Sequence, residues 1–188
     1  ASRVARLQGM PAAQPLAASV GNLAFSLALA ALLFLPLHAT RISQSMQWVR
    51  RYPLAVAGLS VVIGLIALTY SPTHPWNFSE GLLRNSALAA LTGSTGARLV
   101  FAALIAMSVL GCAATAMTRP AAALVYPLWF LQLVPVLLVE PRYYLPSFVL
   151  FLALRRPASP VAELSLFGWF AGLSIAVHQG MVAGRFVL

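Results

Sequence analysis

The chain has 188 residues, of which 61% are hydrophobic and 8% are charged. A soluble globular domain carries about 25% charged residues, so the composition excludes an ordinary soluble domain. The net charge of +9 comes from twelve arginines and three glutamates, with neither lysine nor aspartate. Because the arginines are scattered at the ends of apolar runs, they favour contact with anionic lipid headgroups or phosphate-bearing lipids over contact with nucleic acid.

Continuous apolar runs predict an all-α, polytopic helical membrane protein with about six membrane-embedded segments. A spanning helix needs about 20 residues. The runs lie at 16–37, 53–70, 98–117, 121–139, 145–154 and 161–177. We expect a bend in the fourth run near Pro127 or Pro135 and a short fifth run. The whole chain, 1–188, is then a single transmembrane domain, either with a polar lead-in at 1–15 or as the C-terminal part of a longer protein.

Two connecting segments set the expected topology. The 38–52 connector contains paired arginines at Arg50 and Arg51, which favours the cytoplasmic side. The longest connector, 71–97, begins with a proline-rich stretch and continues as a short amphipathic helix at about 80–91, expected along the membrane surface. An even number of spans separates this connector from residues 140–144, so both should lie on the same, extracytoplasmic side.

The most unusual stretch is Glu140-Pro141-Arg142-Tyr143-Tyr144-Leu145-Pro146, which lies between two apolar runs. Ionisable residues at membrane depth are rare, usually paired and often functional. The two prolines restrict the backbone on either side of the tyrosines. A structural alternative is an interfacial anchor, in which tyrosine lies at headgroup level and the arginine contacts phosphate while the glutamate neutralises it.

This stretch resembles the C-terminal E-x-R-Y-Y/F-x-x-P region of the GT-C superfamily of lipid-linked-sugar glycosyltransferases, with the proline one residue early. Within that superfamily the pattern is most similar to that of the dolichyl-phosphate-glucose α-1,2-glucosyltransferases of the N-glycan pathway. The order of apolar run, basic connector, apolar run and histidine-containing outer loop is also similar. GT-C enzymes are much longer, and nothing here matches the acidic first outer loop of their N-terminal half. The resemblance therefore implies a membrane-embedded glycosyltransferase that uses a polyprenyl-phosphate-linked sugar at the extracytoplasmic face. The chain would be either the C-terminal half of such an enzyme or a relative that has lost the N-terminal half.

Inverting glycosyl transfer needs a carboxylate base and cationic groups for the leaving phosphate. The candidate catalytic residues are Glu80 and Glu140, because Glu163 is expected on the opposite side of the membrane. The candidate residues for binding lipid phosphate are Arg142, Tyr143, Tyr144, His74 and Arg84. Each has a structural alternative, such as helix capping by Glu80, pairing of Glu140 with Arg142, or a solvated His74. No three metal ligands lie close in sequence, so we expect neither a metal nor another cofactor.

The expected partners are membrane lipids, a polyprenyl-phosphate sugar and other membrane subunits, with no nucleic acid. The expected location is the inner or plasma membrane of a bacterium, or the endoplasmic reticulum of a eukaryote. The sequence leaves a second function open, that of a non-catalytic subunit packed into a larger membrane complex. A transporter is disfavoured because the halves show no repeat and no charged residue lies in the middle of a run.

Overall fold

The computed structural model describes residues 15–70, 77, 82–133 and 139–186, with side chains in the first helix from Val20 onward. These residues form nine α-helices and no strand, with one isolated bridge between Met117 and Arg155. The helices are α1 Pro15–Leu33, α2 Leu35–Thr40, α3 Ile42–Arg51, α4 Pro53–Thr69, α5 Leu83–Thr92, α6 Thr95–Ala113, α7 Val125–Leu133, α8 Leu145–Leu154 and α9 Pro160–Val182. The all-helical prediction is confirmed for the described part of the chain.

Prolines and side-chain caps determine where several helices begin. Pro53 starts α4 and forces Tyr52 out of helical geometry, so α3 and α4 meet at a bend of 107°. Ser94 and Ser159 cap α6 and α9 by accepting hydrogen bonds from backbone N–H groups in the first turn. Residues 42–51, expected as part of a polar connector, instead form the amphipathic helix α3, whose side chains are largely exposed.

Fewer helices than expected can cross a membrane. Among the described residues, α6 and α9 are long and apolar enough, and the bent pair α3–α4 raises the number to three if it acts as one span. The prediction of about six embedded segments is therefore corrected to two or three by length and composition. Helix α8 is too short, with only 10 residues, and the described parts of two further apolar segments, Val20–Leu33 and Pro120–Leu133, are also shorter than a span. The remaining long apolar helices indicate membrane association.

The fourth apolar run changes helix type two residues before Pro127. Pro120–Leu124 forms a 3₁₀ helix that changes into α7 at Val125. Pro127 lies in the first turn of α7, where its missing N–H leaves no helical hydrogen bond unmade. The predicted bend near Pro127 or Pro135 stays a prediction, since Pro135 lies outside the described residues.

The core forms where α1 packs against α6, with α4 and α7 alongside. Small residues allow this approach, because Ala28, Ala30 and Ala31 are completely buried on α1. Two glycines permit still closer contacts. A Cβ added at Gly21 would lie 1.8 Å from the Tyr70 ring, and one at Gly111 would lie 1.9 Å from Nδ1 of His38.

The bundle has two chemically different ends. At the Glu140 end, the first half of α1 meets the start of α8 through Asn22 and Tyr144. At the Arg155 end, α8 finishes and α9 begins, and the Arg156 N–H donates to the carbonyl of Ala116 just beyond α6. Because α8 separates the ends by 10 residues, or about 15 Å, groups at one end do not reach the other.

Candidate functional site

The candidate site is the turn formed by residues 140–144, which lies at the Glu140 end between α7 and α8. Pro141–Tyr143 is a short 3₁₀ helix that leads directly into α8. Gln132 at the end of α7 holds this turn, since its Nε2 donates to the Tyr143 carbonyl at 2.6 Å. Ser147 fixes the Gln132 amide by donating to its Oε1 at 2.7 Å. The turn is therefore held in place by both neighbouring helices.

Glu140 is held mainly by an arginine distant in sequence. Its Oε2 contacts Nη1 of Arg84 from α5, and both side chains are nearly buried, with 11% and 9% exposed. Arg142 approaches the same oxygen at 3.8 Å from the solvent side. Two guanidinium groups thus face one carboxylate, and the cluster carries a net charge of +1. A carboxylate engaged in this way is poorly placed to take a proton from a substrate.

Arg142 is the accessible cation of this cluster. Its side chain is 68% exposed, and its guanidinium carbon lies 5.5 Å from the centroid of the Tyr143 ring. The cation–π contact, which contributes about 0.5–1 kcal/mol at an exposed site, favours this guanidinium orientation without using its N–H donors. Tyr143 is half-buried against the core. These two predicted phosphate-binding residues therefore lie at the surface, where a lipid headgroup can reach them.

Tyr144 and Arg84, also predicted to bind phosphate, lie in the interior. Tyr144 is completely buried, and its hydroxyl donates to Oδ1 of Asn22 at 2.9 Å. Burial raises the pKa of the Tyr144 hydroxyl well above its usual value. Arg84 is committed to Glu140. Both residues thus hold α1, α5 and α8 together, and neither presents its polar group to a lipid at the surface.

The 71–97 connector reaches the turn, as the sequence predicted. In addition to the Arg84 pair, the backbone N–H of Val139 donates to Oδ1 of the buried Asn77 at 3.3 Å. The two chemically rich stretches therefore lie at the same end of the bundle. His74 and Glu80, two further predicted site residues, lie outside the described residues.

Glu163 lies at the opposite end, as expected. Its carboxylate accepts two hydrogen bonds from Arg155, at 2.6 and 2.5 Å, and one from the Ala158 N–H at 2.7 Å. This bidentate pair fixes the start of α9 to the end of α8. Among the described residues no group of three or more histidine, cysteine, aspartate or glutamate side chains is placed to hold a metal ion.

Asn22 and Gln132 were assigned no role from the sequence, yet they position the turn. The sequence could have singled them out, because each is an amide side chain inside an apolar run. Burying an amide there costs free energy unless the amide is hydrogen-bonded. The sequence does not show which partner satisfies each amide, because the partners are 122 and 11 residues away.

Comparison of the chain with protein-family models, with curated proteins and with solved structures finds no match. The resemblance to GT-C enzymes therefore depends on the residues of the 140–146 stretch and on the order of the elements around it.

Proposed function

We propose that this membrane protein binds a phosphate-bearing lipid at Arg142, as the lipid-carrier site of a glycosyltransferase, or of its C-terminal half, that uses a polyprenyl-phosphate-linked sugar. The observation that carries the proposal is the exposed guanidinium of Arg142 beside a carboxylate already engaged by Arg84. A lipid phosphate would supply the negative charge that the cluster lacks. The proposed location is the extracytoplasmic face of a bacterial inner or plasma membrane, or of the endoplasmic reticulum.

The chemistry of arginine suits this role. A guanidinium presents a planar fork of N–H donors that matches two phosphate oxygens, whereas an ammonium group acts as a point charge. The Tyr143 ring holds the fork at the surface, and Gln132 fixes the backbone beneath it. The site is thus preorganised, which reduces the entropy lost on binding.

Within this proposal Glu140 is a positioning residue. It neutralises the nearly buried Arg84 and orients Arg142, and it is not the catalytic base. The base for the acceptor hydroxyl would then be Glu80 or a carboxylate in a segment beyond this sequence. The GT-C resemblance supports assigning this turn to the donor lipid, because the resemblance is carried by the turn itself.

Thermal unfolding in detergent, with and without a polyprenyl phosphate, tests the proposal. We expect the lipid to stabilise the wild type, and we expect Arg142→Ala to weaken its affinity by roughly ten- to a hundredfold, the value of a charge-assisted contact of about 1.5–3 kcal/mol. Arg142→Lys should restore part of the affinity. Arg156→Ala is the matched control, since Arg156 is exposed at the opposite end. Equal protection of wild type and Arg142→Ala would remove Arg142 from the binding site.

A second candidate is a non-catalytic subunit of a membrane complex. It is favoured by α9, because only 11% of the apolar stretch of this helix is buried within the protein. On this helix Gly168 and Gly172 form a G-x-x-x-G pattern, and nothing lies within 4 Å of a Cβ added at either glycine. Such a face allows close helix approach in lipid. A larger assembly in mild detergent that Gly172→Leu dissociates, together with no effect of polyprenyl phosphate on stability, would favour this function.

A further inference from the structure

An apolar crevice of about 330 Å³ lies between α1, α6 and α7. Leu23 and Leu27 line it from α1, Val109 and Cys112 from α6, and Trp129 and Phe130 from α7. Phe130 is 47% exposed, whereas Cys112 and Trp129 are buried. The crevice is therefore open on one side and closed by the core on the other.

The crevice offers no polar group to a ligand. The hydroxyl of Tyr126, which also lines it, donates to the Cys112 carbonyl at 2.8 Å. Nε1 of Trp129 donates to Oγ of Ser26 at 3.2 Å. Both of these polar atoms are thus satisfied within the protein, and the remaining lining is apolar. An apolar space of this type stays dry and accepts hydrocarbon.

The helices that form two walls of the crevice also contact the turn that carries Arg142. Phe130 precedes Gln132 by two residues, or about 3 Å along the helix axis, and Gln132 contacts the Tyr143 carbonyl. On the opposite wall, Leu23 follows Asn22, which contacts the Tyr144 hydroxyl. Both walls are therefore attached to the residues directly after Arg142. The third wall is α6, one of the helices long and apolar enough to cross a membrane.

We infer that the crevice between α1, α6 and α7 holds one hydrocarbon chain of the lipid whose phosphate contacts Arg142. The inference rests on the proposed phosphate site and adds the place where the chain lies. Its volume of about 330 Å³ is at the lower end of the usual range for ligand pockets, about 300–1,000 Å³. It therefore suits a single hydrocarbon chain.

The first experiment uses the unmodified protein. An alkyl phosphate that carries a photoreactive diazirine in the middle of its chain is bound and irradiated, and the adducts are mapped by mass spectrometry. We expect adducts on peptides that contain Val109, Cys112 or Trp129, competed by an excess of the unlabelled alkyl phosphate. Adducts confined to the exposed face of α9 would overturn the inference.

The second experiment measures affinity for alkyl phosphates of increasing chain length. The affinity of the wild type should rise with each methylene that the crevice accommodates and level off once the crevice is filled. Val109→Trp should fill the crevice and abolish this gain while the shortest phosphate still binds. Val100→Trp is the matched control, because Val100 lies on the same helix and is 56% exposed. A chain-length gain that survives in Val109→Trp, or is absent from the wild type, would overturn the crevice assignment.

Different results would contradict the phosphate-site assignment and the crevice assignment. Arg142→Ala should lower the affinity for every chain length by a similar factor and leave the gain per methylene unchanged. If a phosphate and the alcohol of equal chain length bind equally, the proposed phosphate site is wrong, and with it the assignment of both positions to one lipid. If the phosphate is preferred at every length without a chain-length gain, only the crevice assignment is wrong.

Discussion

Removing Arg84 should destabilise the protein far more than removing the neighbouring Arg142. Arg84→Met deletes the principal cation that contacts Glu140, and both partners are nearly buried, at 9% and 11% exposure. Among the described residues, the cation that remains near the carboxylate is Arg142, at 3.8 Å. Breaking a buried ion pair from one side costs about 3–5 kcal/mol, because a charge is left without its partner in a poorly solvated place.

The expected effect is large enough to measure by thermal unfolding. In a chain of this length about 1 kcal/mol lowers Tm by roughly 2–4 °C, so Arg84→Met should lower it by about 6–20 °C. Arg142→Met is the matched control, since its side chain is 68% exposed and an exposed pair contributes about 0–1 kcal/mol. Helical circular dichroism in detergent reports both transitions.

A double variant separates the ion pair from simple loss of packing. Arg84→Met combined with Glu140→Leu removes both charges, so the protein should recover much of the stability that Arg84→Met loses. Equal losses for Arg84→Met and Arg142→Met, with no recovery in the double variant, would refute the reasoning. Glu140 would then be held from the solvent side, and a role for it as a catalytic base would regain support.

Three further predictions concern packing, capping and pH. Gly21→Ala should lower the free energy of unfolding by about 1–3 kcal/mol in chemical denaturation, because the added Cβ would overlap an aromatic ring. Gly58→Ala is the control and should be tolerated in the same assay, because nothing lies within 4 Å of a Cβ added there. Arg98→Met should loosen the end of α4, since the Arg98 guanidinium donates to three carbonyls there. Amide hydrogen exchange in the last turn of α4 should become faster, and unchanged exchange would contradict the capping role. Burial lowers the pKa of His38 from 6.5 to about 4. Between pH 6.5 and pH 4 the folded state therefore binds fewer protons than the unfolded state. The free energy of unfolding should fall by about 1.4 kcal/mol for each pH unit within this range as the pH is lowered. His38→Asn should flatten this dependence in denaturation curves recorded between pH 4 and 8, and the exposed His178 provides the control, because His178→Asn should retain it.

Local sequence determined the helices and the chemical character of the 140–146 turn. Apolar runs predict helices because a buried or lipid-exposed backbone must satisfy its own hydrogen bonds, and the predicted fifth run coincides with α8. The prolines at 53 and 160 begin α4 and α9, as their fixed φ and missing N–H require. The number of spanning helices could not be read in the same way, because a run of apolar residues does not show where the helix within it will break.

The candidate site depended on contacts between residues far apart in the chain. The sequence showed that Glu140 and Arg142 are neighbours, which suggests a local ion pair. The fold instead brings Arg84 from α5 to the same carboxylate, 56 residues away. Tyr143 and Tyr144 are adjacent and chemically identical, yet one lies at the surface and the other is completely buried. Burial depends on which helices surround a side chain, so only the tertiary structure decided which arginine is exposed and which tyrosine is completely buried.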